Sequence, residues 1–150
     1  MIYLGSDHRG YDLKELIKKE FERNEISYTD FGDEIFNPED DYPDYAITVG
    51  EAVANDPENN PGLLICFSGE GMAIAANKVK GVRAALCHTE ESAKLSREHN
   101  NANILVLDSK LDLETSVEII NAFFETEFSN EERHIRRIKK IVDYENEHFK

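Results

Sequence analysis

The sequence predicts an α/β fold in three layers, a five-stranded parallel sheet with helices on both faces. Three observations predict it. Short apolar runs alternate with segments of helical periodicity, and that alternation implies right-handed βαβ units. The run at 63–66, LLIC, carries no polar alternation, as expected of a strand covered on both faces. The chain has 150 residues, 40% hydrophobic and 32% charged, which suits one folded domain over 1–150 with room for a core.

The elements follow in order. Residues 2–6 form the first strand, which ends at Asp7, His8, Arg9 and Gly10. Residues 11–24 place Leu13, Leu16, Ile17 and Phe21 at helical spacing, with Lys14, Glu15, Lys18 and Lys19 on the other face. A second strand spans 26–31 and stops at Gly32. Residues 33–43 are polar, contain Pro38 and Pro43, and read as a long loop. A helix over 45–54 turns Ala46, Val49, Ala52 and Val53 inward, and 55–61 has turn composition. The third strand, 63–66, runs into a tight turn of Phe67, Ser68, Gly69, Glu70 and Gly71, then an Ala-rich helix over 72–78. Gly81 closes that helix, and 82–88 is the fourth strand. Thr89 is an N-cap for a helix over 92–99, and 103–107 is the fifth strand. A long amphipathic helix covers 113–128. Ser129, ahead of Glu131 and Glu132, has the pattern of an N-cap. The last helix, 131–149, is basic from Arg133 to Lys140.

Charge and cysteine usage narrow the function. A net charge of −14 argues against nucleic acid and anionic membranes as partners. Any phosphate site then needs a local cluster of basic residues. Cys66 and Cys87 make no disulfide framework and have no zinc-ligand spacing, which fits a reducing cytoplasm. The apolar start at 2–5 is too short for a signal peptide, and no run reaches transmembrane length.

Residues 63–78 are the stretch around which the chain is organised. A strand, a glycine turn and a helix N-terminus place unpaired N–H groups at one point and favour an anion there. Cys66 is the last strand residue, and a helix N-terminus can lower a thiol pKa to supply thiolate at neutral pH. The plainer reading is a packed cysteine beside an ordinary βα turn. The turn is not a dinucleotide fingerprint, because Ile74 holds the third glycine position and the turn follows the third strand, not the first. Ligands of such sheets bind beyond the carboxyl ends of the strands. Those ends carry Asp7, His8, Cys66, Ser68, His88 and the turn at 108–110.

Three further groups each allow two readings. Asp7 and His8 are either an acid/base pair or a helix cap with a solvated histidine. His99 and Asn100 end a helix that runs back from the fourth strand, so they belong at the opposite edge from Cys66. Either the helix dipole favours His99 there, or His99 serves the cleft of another subunit in a dimer with shared sites. Arg133 and Arg137 lie one turn apart and can clamp a phosphate, or they form a solvated basic face balancing Glu131 and Glu132.

Together the segments GSDHRG, DFG, DYPDYA, ICFSGEGMAIAANK, GVRAALC, AKLSREHNNAN and ERHIRR resemble, in order and spacing, the type B ribose-5-phosphate isomerases. These belong to a wider family that includes the galactose-6-phosphate isomerase subunits. The resemblance covers about residues 1–140, and AANK followed by His-Asn resembles the ribose-phosphate branch more. It implies a Rossmann-like fold and aldose–ketose isomerisation through an enediolate, with no cofactor and no metal. It implies Cys66 as the base between C2 and C1, with Ser68 beside it and the N–H groups of Phe67, Ser68, Gly69, Glu70 and Gly71 on the enediolate oxygen. His99 would open the furanose ring, Asp7 would hold ring oxygen and hydroxyls, and Asn100 would contact substrate. His8, Arg133 and Arg137 would grip the phosphate, with Lys110 where the family usually has Arg. The partners implied are a phosphorylated sugar and a second copy in a homodimer, with a tetramer allowed and the C-terminal helix reaching toward the other subunit. Two other departures are Phe67 for the usual Gly and Glu70 for a small or apolar residue. Allose or galactose 6-phosphate is the rival substrate, and a binding protein without catalysis the rival class.

Overall fold

The computed structural model describes residues 1–56 and 59–150. The expected turn at 55–61 lies partly outside them. Among the described residues five strands and five helices alternate, and a sixth helix follows the fifth. They are β1 Ile2–Ser6, α1 Tyr11–Arg23, β2 Tyr28–Asp30, α2 Tyr42–Asn55, β3 Gly62–Cys66, α3 Glu70–Ala76, β4 Ala84–Leu86, α4 Glu90–Asn100, β5 Ile104–Asp108, α5 Leu113–Glu125 and α6 Glu132–His148. The sheet order is β2-β1-β3-β5-β4 and every pairing is parallel.

Strands β3 and β5 are buried along their whole length, as the unbroken apolar runs require. Their side chains alternate between two cores. Leu63, Ile65, Leu105 and Leu107 meet Leu13, Ile17 and Phe21 of α1 and Ile119 and Phe123 of α5. Leu64, Cys66, Ile104 and Val106 meet Ala46, Val49 and Val53 of α2 and Met72 and Ala76 of α3. The chain passes from β1 outward to β2 and then returns to β3 on the other side of β1. The strand order therefore reverses between β1 and β3, which opens a crevice beyond their carboxyl ends. Among the described residues no helix is long and apolar enough to cross a membrane.

The elements differ from expectation mainly at their ends. β2 and β4 are short edge strands, because only Tyr28–Asp30 and Ala84–Leu86 find ladder partners. Helix α2 begins at Tyr42, earlier than 45, since Pro43 sits in its first turn, where its missing N–H costs nothing. Helix α3 begins inside the glycine turn at Glu70. Thr89 caps α4 through a reciprocal pair with Ser92, as its position predicts. Ser129 does not cap α6. Its Oγ lies 2.8 Å from His134 Nδ1, and Glu131 is the residue that precedes the helix. Lys14, expected on the solvent face of α1, is 0% exposed. Its ammonium reaches Asp30 at 2.9 Å and donates to the Asp33 carbonyl at 2.9 Å, so the charge is buried but paired.

Candidate active site

Cys66 ends β3 and is 5% exposed. Its carbonyl accepts the Ser109 N–H at 2.9 Å, which ties the β3 and β5 ends together. The chain then turns sharply, with Gly69 at φ +81°. A Cβ there would strain the backbone and stand 2.4 Å from Leu86 Cδ1, so only glycine fits. Gly71 serves a different need: a Cβ would meet the Tyr42 ring at 2.8 Å, and Tyr42 thus lies directly over the start of α3. Ser68 Oγ accepts the Glu70 N–H at 3.4 Å. Glu70 itself is exposed.

Burial pushes the Cys66 thiol above its ordinary pKa, while the N–H groups of Met72, Gly69 and Ser68 act against the rise and Asp7 adds to it. This corrects the expectation of a lowered thiol pKa. Helix α3 is short, and desolvation of a thiolate at a nearly closed strand end outweighs its amides.

Asp7 follows β1 across the crevice. Its Oδ1 accepts N–H groups of Arg9 and Gly10, both at 3.0 Å, in the turn ahead of α1, whose N-cap is Gly10 with no side-chain cap. It nonetheless sits against the thiol closely enough to raise its pKa. Burial raises the Asp7 carboxyl pKa as well, opposed by the Gly10 N–H and His8. His8 is held by Asp40, with Nδ1 to Oδ1 at 2.5 Å and the His8 N–H to the same oxygen at 3.1 Å. Phe67 is 48% exposed, with Arg9 over its ring at 4.7 Å and Lys110 at 4.5 Å. Lys110 also reaches Asp108 at 3.0 Å. His88 is exposed after β4.

The other expected residues gather at the opposite edge. Arg83, just before β4, donates from Nε to the Asn100 carbonyl at 3.0 Å, which fixes the end of α4 at the amino edge of the sheet. The His99 ring packs on His134 of α6 at 4.4 Å. Arg133 pairs with Glu131 at 3.1 Å, and Arg137 lies one turn further along α6. One chain thus brings together Cys66, Phe67, Ser68, Gly69, Glu70, Gly71, Asp7, His8 and Lys110. It holds His99, Asn100, Arg133 and Arg137 apart from them. His8 and the two arginines, grouped as one phosphate grip, lie at opposite edges of the same chain because α6, which carries the arginines, packs through His134 on the C-terminal end of α4.

Sequence reasoning missed Asp40 and Arg9. Asp40 sits in an acidic run that reads as solvated, and its partner is distant in sequence. Arg9 has no signal until Phe67 is placed beside it. Asp7, His8 and Asp40 could each offer one metal-ligand atom, all within 4.8 Å of one another. Amides already occupy Asp7 Oδ1, and Asp40 occupies His8 Nδ1.

Comparison with known proteins locates this arrangement. The model of the Ribose/Galactose Isomerase family matches residues 2–141. The ribose-5-phosphate isomerase B of Mycolicibacterium paratuberculosis is 38% identical, over 98% of this chain and 92% of that protein. The structure of ribose-5-phosphate isomerase B from Mycoplasma genitalium with bound ribulose-5-phosphate superimposes with a TM-score of 0.92 at 41% identity, covering 97% of this chain and 96% of that one. The Clostridium thermocellum ribose-5-phosphate isomerase B gives a TM-score of 0.90 at 40% identity, covering 97% of both chains.

Proposed function

The chain belongs to the Ribose/Galactose Isomerase family, and from that membership we propose that it interconverts ribose 5-phosphate and ribulose 5-phosphate. The observation that carries this reading is the placement of Cys66, amid amides of the 67–72 turn, across the crevice from Asp7 and His8. Similarity to a ribulose-5-phosphate complex supports the five-carbon substrate.

In this mechanism the Cys66 thiolate removes the proton from C2 of the open-chain aldose, and the resulting thiol, after exchange with solvent, delivers a proton to C1. Negative charge moves onto the carbonyl oxygen as the enediolate forms. Backbone N–H groups of the 67–71 turn meet that oxygen, and they need no reorganisation because the turn is fixed. Asp7, its carboxylate oriented by two amides, holds the sugar hydroxyls. His8 and Lys110 take the phosphate from one side. His99 opens the ring, Asn100 contacts the sugar, and Arg133 and Arg137 complete the phosphate grip. We assign these four to a second copy, a reading supported by their position at the opposite edge of their own chain. A homodimer with two shared clefts follows, and the exposed Ile135, Ile141 and Tyr144 of α6 are apolar surface for that contact. The ring of Phe67, where the family usually has Gly, stands between Arg9 and Lys110 at the mouth of the crevice.

Incubation with ribose 5-phosphate in deuterated water, followed by proton NMR, tests the reading. Ribulose 5-phosphate carrying deuterium at C1 is expected. Conversion of allose or galactose 6-phosphate instead would keep the chemistry and move the substrate. No turnover of any of the three would leave a sugar-phosphate binding protein.

A further inference from the structure

We propose that Asp40 is the positioning residue for His8, fixing which ring nitrogen is offered to the sugar phosphate. The inference rests on the isomerase reading and adds a residue to it.

Asp40 lies in the run Glu39-Asp40-Asp41, at the end of a loop without regular structure. Its two neighbours are exposed, yet its own side chain is only 5% exposed. A carboxylate withdrawn from water needs partners. Asp40 has them in one residue 32 positions away: the ring Nδ1 of His8 at 2.5 Å and the His8 N–H at 3.1 Å. An ionised carboxylate only accepts hydrogen bonds, so Nδ1 must carry the proton. Nε2 is then the ring nitrogen left for a ligand, a phosphate oxygen accepting from it when the ring carries a proton there as well, and the bond to the His8 main chain fixes where the residue sits.

The loop that delivers Asp40 is anchored on its far side. Lys14 donates to the Asp33 carbonyl at 2.9 Å, and Tyr11 donates from its hydroxyl to the Glu34 carbonyl at 2.9 Å. Phe36 packs edge-on against both His8 and Tyr11, with centroids 6.2 and 5.9 Å apart. The buried lysine therefore has a use beyond α1. It holds the segment that sets the imidazole.

Removal of the carboxylate frees the ring without touching substrate directly. Asp40→Ala should raise the KM for ribose 5-phosphate by about tenfold, the scale of one charge-assisted hydrogen bond, and leave kcat within about threefold. Asp40→Asn, which keeps an acceptor but loses the charge, should fall between Ala and the native residue. The double variant Asp40→Ala/His8→Ala should be no worse than His8→Ala alone, because the first acts through the second. Long-range proton–nitrogen NMR of the His8 ring should report the Nδ1–H form in the native protein and lose that preference in Asp40→Ala. Additive losses in the double variant, or a native ring with no proton on Nδ1, would overturn the proposal. The NMR result stands without turnover, so an inactive native enzyme would count against the isomerase reading and not against the Asp40–His8 pair. Should Asp40→Ala not fold, the native spectrum and Asp40→Asn still decide.

Discussion

Cys66 is subject to two opposed influences, and on the proposed mechanism their balance sets the working pH. Burial disfavours the thiolate, and amides of the 68–72 segment favour it; burial wins. The base is the deprotonated form. With its folded pKa above the ordinary value, little thiolate exists at neutral pH, and the fraction grows as pH rises toward that pKa. The kcat/KM for ribose 5-phosphate should therefore climb from neutral into alkaline solution, measured as a pH–rate profile. A thiol depressed by the helix would give a plateau at neutral pH. Cys66→Ala should abolish the activity across the whole range while sugar-phosphate binding, read by calorimetry, persists. The same shift makes a stability statement. A group with a raised folded pKa contributes stability that is present below the unfolded thiol pKa and lost as pH rises through the folded one, so faster turnover at alkaline pH comes with a less stable fold.

At the scale of the element, the β3–α3 turn is built by two glycines with separate duties. Gly69 supplies a left-handed φ and lets the turn lie against Leu86 and the Leu107 carbonyl; Gly71 leaves room for the Tyr42 ring. Gly69→Ala should destabilise the protein by about 2–4 kcal/mol in urea unfolding, combining left-handed strain with a displaced Leu86. It should also lower kcat, since the amides beside Cys66 would move with the turn. A loss of stability under about 1 kcal/mol would show that the turn relaxes freely. The element scale also marks where sequence reading succeeded. The helix start at Thr89 was legible because an N-cap is a local signal. The ends of β2 and β4 were not, because an edge strand stops where its neighbour stops. Lys14 was misplaced for the same kind of reason. Helical periodicity puts a lysine outside, and only the acidic strand end at Asp30, which packs beside it, makes burial tolerable.

At the scale of the whole molecule, the separation of the two residue groups makes an assembly prediction. Cys66→Ala and His99→Ala proteins should each be inactive alone. Mixed and allowed to exchange subunits, they should recover about a quarter of native activity, because half of the dimers pair unlike chains and each of those has one intact cleft. Sedimentation should show the dimer in both variants. Exchange without recovered activity would sink the shared-site reading. The amino-acid sequence by itself determined the alternation of strands and helices, the two-sided burial of β3, and the family. Those are carried by local periodicity and by motif order along the chain. Only the tertiary structure decided that burial outweighs the amides at Cys66, that Lys14 lies inside, and that Asp40 holds His8. Each of these depends on residues brought together from distant parts of the chain, and on how much water the packing leaves around them, which no local pattern records.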